Sequence, residues 1–139
     1  MKQSRFIKNW FNKETKEIFL LFLGWRFAIF FFALIGIYLL PLYSQSFLGG
    51  GFERYTKTPL FWGWSNFDGE HYLSIAQSGY QSLKHAFFPV YPLLIGYLGS
   101  ISGGMPQLAV IGLLISNLSF FVSLVLFWKL VILDYSKRI

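Results

Sequence analysis

A long apolar stretch near the N-terminus constrains the fold of this chain more than any other feature. It runs from Ile18 to Leu40, about 34 Å as a helix, which is enough to cross the hydrocarbon core of a bilayer. Its Leu, Ile and Phe residues contribute about −7 kcal/mol to membrane insertion, whereas the one interrupting residue, Arg26, costs about 3 kcal/mol. The apolar core of a cleaved signal peptide would be only about 7–15 residues long. We therefore predict an uncleaved membrane helix over residues of about 18–41.

A second apolar stretch, from Leu108 to Phe127, carries no charged residue and predicts another membrane helix, over residues of about 107–132. Small and polar side chains interrupt it, and such residues suit a helix that packs closely against other helices. They are Gly112, Ser116, Asn117, Ser119 and Ser123. Asn117 in particular needs a hydrogen-bond partner in hydrocarbon. We expect further membrane helices beside this polar stripe, since two helices alone would satisfy it poorly.

The charged residues lie mainly at the two ends of the chain. Lys and Arg number 12 against 6 Asp and Glu, and the middle region has only Arg54, Lys57 and Lys84 as cations. Because basic loops stay in the cytoplasm, we expect an integral, multi-pass membrane protein with both ends of this segment cytoplasmic. Residues 1–17 would be a cytoplasmic basic tail and residues 43–105 an extracytoplasmic loop. Nucleic acid is not expected as a partner, because the cations form no single patch.

A third apolar stretch, from Phe87 to Ile101, is about 22 Å long as a helix and is therefore short for a full crossing. Prolines and glycines also interrupt it: Pro89, Pro92, Gly96 and Gly99. If it did cross, the basic C-terminal end would face outward, against the charge distribution. We predict a re-entrant or interfacial helix over residues of about 90–101. The predicted fold class is thus an all-α membrane protein.

Polar and titratable residues concentrate between Trp62 and Tyr80, where a short amphipathic helix is predicted over residues of about 69–78. Gly79 is suited to end this helix. Asp68 precedes it, at the expected level of the membrane interface, where a partly desolvated carboxylate can act as a general base. Alternatively, Asp68 is the N-cap of the helix, or closes a capping box with Ser65. Pattern alone favours this structural role.

Three further places carry candidate groups. Glu70 and His71 add a carboxylate and an imidazole within one turn, but adjacent residues do not share a helix face, so a solvated helix start is favoured over a metal site. Lys84 and His85 would either hold a phosphate or be solvated loop residues. Arg26 is either a phosphate partner inside the membrane or an anchor that snorkels toward the basic end, and the anchor is favoured.

Two blocks of sequence make the middle region recognisable. The first, from Phe67 to Tyr80, reads F-D-G-E-H-Y-L-S-I-A-Q-S-G-Y, and the second, from Ala86 to Leu93, reads A-F-F-P-V-Y-P-L. Together they resemble the PIG-V family of mannosyltransferases, relatives of GPI mannosyltransferase 2, whose pattern is W-D-G-x-x-Y-x-x-I-A-x-x-G-Y followed by A-F-F-P-x-Y-P. The pair of blocks is specific, and the stretch I-S-N-L from Ile115 also looks like the family. Phe67 departs from the pattern: the ring of the usual tryptophan is kept but its N–H donor is lost.

The resemblance implies a glycosyltransferase of the GT-C type that takes mannose or a similar hexose from a dolichyl or other polyprenyl phosphate. In that class the first extracytoplasmic loop carries an essential acidic residue, and Asp68 matches its position. Asp68 would deprotonate the acceptor hydroxyl, with inversion at the sugar carbon. The other residues implied to bind substrate or shape its pocket are Glu70, His71, Tyr72, Lys84, His85, Phe87, Phe88 and Tyr91.

The same resemblance sets the expected partners and location. They are membrane lipid, the polyprenyl phosphate sugar as co-substrate, and a glycolipid or protein acceptor. The resemblance identifies no resident cofactor and leaves open whether a divalent metal is bound. The membrane would be the plasma membrane in a prokaryote and the endoplasmic reticulum in a eukaryote.

The length of the chain bears on both hypotheses about its activity. Family members are several times as long, so we expect residues 1–139 to be a single N-terminal segment of such an enzyme, with a partial GT-C fold and inactive by itself. The alternative from a different class is a non-catalytic membrane module that binds lipid or scaffolds partners.

Overall fold

The computed structural model describes residues 12–40, 52–100 and 104–135, and within these ranges the chain is helical, with no β-strand. We number the α-helices in chain order: α1 (Lys13–Leu39), α2 (Phe52–Lys57), α3 (Pro59–Trp62), α4 (Asp68–Ser78), α5 (Val90–Gly99) and α6 (Met105–Asp134). Two 3₁₀ turns, Gly63–Ser65 and Ser82–Ala86, precede and follow α4. Helices α1 and α6 have 27 and 30 residues and are long and apolar enough to cross a membrane. The predicted helical class and its two long apolar helices are thus confirmed.

Helix α1 begins at Lys13, within the segment predicted as a basic tail and before the apolar stretch starts. Asn12 explains this early start, because its side-chain oxygen accepts hydrogen bonds from the backbone N–H and the hydroxyl of Thr15, both at 2.9 Å. Lys13 and Glu17 then pair one turn apart at 3.7 Å. Hydropathy marks only where a helix can enter lipid, whereas the cap marks where the backbone turns. Residues 1–11 and residue 41 of the prediction lie outside the described residues.

Helix α6 extends about one half-turn beyond both predicted ends. Its polar side chains are partly satisfied within the helix, since the Asn117 amide donates to the carbonyl of Leu113 at 2.6 Å and the Ser123 hydroxyl donates to the carbonyl of Ser119 at 2.8 Å. These two side chains therefore do not depend on a second helix for a partner, contrary to the expectation for Asn117.

The two predicted short helices are both present. Helix α4 begins one residue before its predicted start, and Gly79 ends it with φ +77° and an N–H bonded to the carbonyl of Ile75 at 2.8 Å. Helix α5 begins at Val90 as predicted and ends at Gly99, before residue 101, which lies outside the described residues. Helices α2 and α3 were not predicted, because they have only six and four residues, too few to show the helical spacing of apolar side chains. Pro59 at the start of α3 is a signal that could have indicated it.

Residues 33–117 form one of two compact units, and α4 and α5 pack together within it. The buried side chains at its centre are Leu73 from α4, Ile95 from α5, and Leu108 and Ala109 from α6. At Gly96 the helices approach so closely that an added Cβ would lie 2.8 Å from the carbonyl oxygen of Ala76. This packing fixes how α4 and α5 present their side chains.

The second unit consists of the residues up to Phe32 and those from Leu118 onward. Phenylalanine rings join its two helices: Phe19 meets Phe121 edge to face at 5.5 Å, and Phe22 lies 6.0 and 5.7 Å from Phe120 and Phe121. Val125 of α6 is buried within the same unit. Phe19 contacts Phe121, whereas Phe22, which is later in α1, also contacts Phe120, which is earlier in α6. The two helices are therefore antiparallel here.

Candidate active site

Asp68 is the first residue of α4, and Phe67 occupies the N-cap position without a side-chain hydrogen bond to the helix. The predicted structural role of Asp68 as N-cap or capping-box partner is therefore wrong, because Phe67 is the N-cap and Ser65 belongs to the preceding 3₁₀ turn. The Asp68 side chain is exposed. The Asp68 carboxylate makes no hydrogen bond or ion pair with any residue that the structure describes. The helix N-terminus favours its negative charge. This carboxylate is thus available to a ligand.

The backbone is strained directly before this carboxylate. Phe67 has φ 54° and ψ −119°, and it is the single non-glycine residue with positive φ among those described. Such a conformation costs about 1–3 kcal/mol and persists where the surroundings enforce it, which happens most often at functional sites. Here the N–H of Gly69 donates to the backbone carbonyl of Asn66, and the N–H of Glu70 donates to that of Phe67, both at 3.1 Å. These two hydrogen bonds stabilise the turn. The side-chain oxygen of Asn66 is buried without a partner among the described residues.

An aromatic cluster, which we define as His71, Tyr72, Phe87 and Tyr91, lies beside the same face of α4. His71 and Tyr72 follow Asp68 by three and four residues, so the three side chains share one helix face. The ring of Phe87 lies 5.0 Å from that of His71 and 5.1 Å from that of Tyr72. Tyr72 in turn meets Tyr91 of α5 edge to face, at 5.1 Å. The fold therefore gathers four of the predicted pocket residues into one surface.

Tyr91 connects this cluster to α6. Burial raises the pKa of its hydroxyl above the ordinary tyrosine value; a hydrogen bond with Ser116 opposes this, and the neighbouring Tyr72 adds to it. The close approach requires Gly112, since a Cβ there would lie 3.0 Å from the Tyr91 hydroxyl. Ser116, one of the polar residues of α6, thus forms a hydrogen bond with a residue of the aromatic cluster.

The raised pKa of Tyr91 predicts a loss of stability in alkali. Above about pH 10, the ordinary tyrosine pKa, the unfolded chain releases this proton while the folded chain retains it, so the free energy of unfolding falls as pH rises through that range. Tyr91→Phe should show a smaller fall in thermal unfolding temperature between pH 9 and 11 than the wild type. Tyr97→Phe, which removes an exposed tyrosine from the same helix, is the control and should behave as the wild type. Equal falls in all three proteins would contradict the prediction.

The segment between α4 and α5 is held more firmly than a solvated loop. Lys84 and His85 lie in a 3₁₀ turn, and the Lys84 ammonium donates a hydrogen bond to the Ser74 hydroxyl of α4. The Tyr80 hydroxyl donates to the carbonyl of Phe87 at 2.9 Å, and its ring lies 5.5 Å from that of His85. Lys84 is thus fixed beside α4 with two donors left for a phosphate.

Among the described residues, Glu70 and Phe88 take no part in the ring contacts that join the aromatic cluster. Glu70 lies about 200° around the helix axis from Asp68, and Phe88 is 72% exposed. In the ranges that the structure describes, no three His, Cys, Asp or Glu side chains are grouped as ligands of a metal ion would be. Sequence reasoning missed Asn66 and Ser74, because their places depend on the tertiary fold.

Taken together, the described residues define an all-helical protein with two helices of membrane-spanning length, and a carboxylate beside an aromatic cluster. No family model, curated protein or solved structure matches the chain. The resemblance to the PIG-V family thus rests on the two sequence blocks alone.

Proposed function

We propose that this chain is the N-terminal part of a GT-C-type glycosyltransferase that moves mannose or a similar hexose from a polyprenyl phosphate to a hydroxyl of a glycolipid or protein. The observation that carries the proposal is Asp68: its carboxylate is exposed, makes no hydrogen bond or ion pair with the described residues, and follows a strained turn. It also stands where the family pattern has its acidic residue.

In the proposed reaction, Asp68 takes the proton of the acceptor hydroxyl while the oxygen of that hydroxyl attacks the first carbon of the sugar. The bond from that carbon to the phosphate oxygen breaks on the opposite side. The polyprenyl phosphate leaves with the bonding electrons, and the sugar configuration inverts. Lys84, already fixed by Ser74, would stabilise the negative charge of the phosphate.

The aromatic cluster would bind the sugar. Ring faces pack against the apolar C–H face of a hexose and leave its hydroxyls free for polar partners. Tyr72 and Tyr91 offer hydroxyls as well as rings, and His71 would position the acceptor, whereas Glu70 lies on the other side of α4. The cluster is carried on α4 and α5, whose shared core keeps it in place.

In the proposed topology, α1 and α6 cross the membrane with both ends of the segment in the cytoplasm, and α5 lies in the outer interface. One side of α5 is exposed and apolar, as a lipid-facing surface should be. Its side chains are Val90, Leu93, Leu94, Tyr97 and Leu98. A polyprenyl donor has its tail in the same layer, so its phosphate would reach the interface near α4.

A membrane module that binds lipid without transferring sugar is the second candidate. The exposed apolar side of α5 favours it, since such a surface suits lipid whether or not chemistry follows. The two candidates differ in the fate of the donor.

A labelled donor separates the candidates. The full polypeptide that contains these residues is expressed in its native membranes, which contain the acceptor, and is given polyprenyl phosphate mannose labelled in the sugar. Glycosyl transfer predicts that label leaves the lipid phosphate and appears in a product stable to mild acid. Membranes that lack the polypeptide provide the background. Donor that copurifies with the polypeptide while the label stays on the phosphate would favour the non-catalytic module.

A further inference from the structure

Arg26 lies within the apolar part of α1, and aromatic rings flank its guanidinium. The central carbon of the guanidinium lies 5.5 Å from the centre of the Phe22 ring and 5.4 Å from that of Phe120 in α6. Its Nε atom is buried and has no hydrogen-bond partner among the described residues. A ring face attracts the positive charge but has no lone pair in the plane of the N–H groups. The donors of Arg26 are therefore not filled by the contacts that hold it.

The described parts of the two long helices provide no acidic partner at this depth. Their acidic residues lie at the helix ends: Glu14 and Glu17 in the first turns of α1, and Asp134 at the end of α6. Glu17 already pairs with Lys13. An ionised residue inside a membrane span is usually paired, so an anion from outside the described residues is expected here.

The direction of the side chain indicates where that anion comes from. Phe22 lies one turn closer to the start of α1, so the guanidinium leans toward the basic end of the helix, as a snorkelling arginine does. At that end, Lys13, Lys16 and Lys129 are balanced by the three acidic residues of the two helices. The excess of positive charge is in the sequence that flanks the helices, which has Lys and Arg at positions 2, 5, 8, 137 and 138 and no acidic residue. Such an excess attracts anionic headgroups to this side of the membrane. A guanidinium also matches a phosphate group with two parallel hydrogen bonds.

We infer that Arg26, Phe22 and Phe120 form a binding site for the phosphate of an anionic phospholipid, which enters between α1 and α6 from the basic end. The rings hold the guanidinium in place, and its N–H groups bind the phosphate oxygens. This site differs from that of the proposed sugar donor, since Arg26 is the middle residue of α1 (Lys13–Leu39) whereas the residues of the candidate active site follow that helix in the sequence. The inference does not depend on glycosyl transfer.

Retention of a defined lipid tests the inference. The full polypeptide is reconstituted in nanodiscs of phosphatidylcholine and phosphatidylglycerol at about 7:3, released into detergent, and weighed by native mass spectrometry to count retained phosphatidylglycerol. Arg26→Leu should lower retention by about tenfold, since two charge-assisted hydrogen bonds are lost. Arg26→Lys should retain an intermediate amount, because a point charge replaces the planar fork. Lys16→Leu removes the same charge at the same end of α1 and should change retention less than about twofold.

Two outcomes would overturn the inference. Equal losses in Arg26→Leu and Lys16→Leu would mean that the basic end attracts lipid only by its general charge. Unchanged retention in Arg26→Leu, with a lower unfolding temperature, would mean that the counter-ion is a carboxylate on another helix. Misfolding is not a concern for the leucine variant, because leucine favours insertion; circular dichroism should show the wild-type helical content.

Discussion

Asp68→Asn should lower the rate of sugar transfer by about 10²–10⁴-fold, the usual contribution of a positioned general base. Asparagine has the size and shape of aspartate but cannot take the proton of an acceptor hydroxyl. Because Asp68 is exposed and makes no hydrogen bond or ion pair with the described residues, the change should leave the free energy of unfolding within about 0.5 kcal/mol of the wild type. The loss should appear in kcat at saturating donor, since the donor would be held by other groups.

The matched control is Asp134→Asn, the same chemical change at an exposed position at the end of α6. Transfer and unfolding temperature should both stay at wild-type values. Transfer that is unaffected by Asp68→Asn would exclude Asp68 as the base, although another residue of the aromatic surface would still be open to test. A fall in unfolding temperature with Asp68→Asn would instead assign this carboxylate a structural role.

The parts of the fold that sequence predicts are those with strong local signals. Helix α4 is an example, because its apolar spacing indicates a helix and Gly79 ends it at φ +77°, a backbone conformation that glycine adopts easily. The two long helices are predicted for a similar reason, since lipid requires a run of apolar side chains. Their ends are predicted less well, and the cap at Asn12 adds a turn that hydropathy does not detect.

The candidate site depends on features that no local pattern contains. Sequence places Asp68 at a helix start, where a capping role is common, but the left-handed backbone of Phe67 moves the cap one residue earlier and frees the carboxylate. Likewise, the pairs Lys84 with Ser74 and Tyr91 with Ser116 join residues on different elements. Such pairs follow from how α4, α5 and α6 pack, which a single sequence does not specify.

Gly96→Ala should be the most disruptive single-methyl change in the core of α4 and α5. The new Cβ would lie 2.8 Å from the carbonyl oxygen of Ala76, and because that oxygen belongs to the backbone of α4, the helices themselves must separate. Overpacking of this kind costs about 1–3 kcal/mol, and Gly96→Val, with a larger branched side chain, should cost more. The change should be measured as a lower midpoint of thermal unfolding in detergent, followed by circular dichroism.

The control for Gly96→Ala is Gly24→Ala, which adds the same methyl group inside α1, where no described heavy atom lies within 4 Å of it. Since alanine is the better helix former by about 1 kcal/mol, this variant should match or exceed the stability of the wild type. Separation of α4 from α5 would also expose Tyr91, so Gly96→Ala should bring the pKa of that tyrosine back toward its ordinary value. If both alanine variants gain stability, the contact at Gly96 tolerates a methyl group, which would contradict the close approach of α4 and α5 at this position. If Gly96→Ala loses stability while the Tyr91 titration is unchanged, the helices separate at Gly96 without disturbing the aromatic cluster.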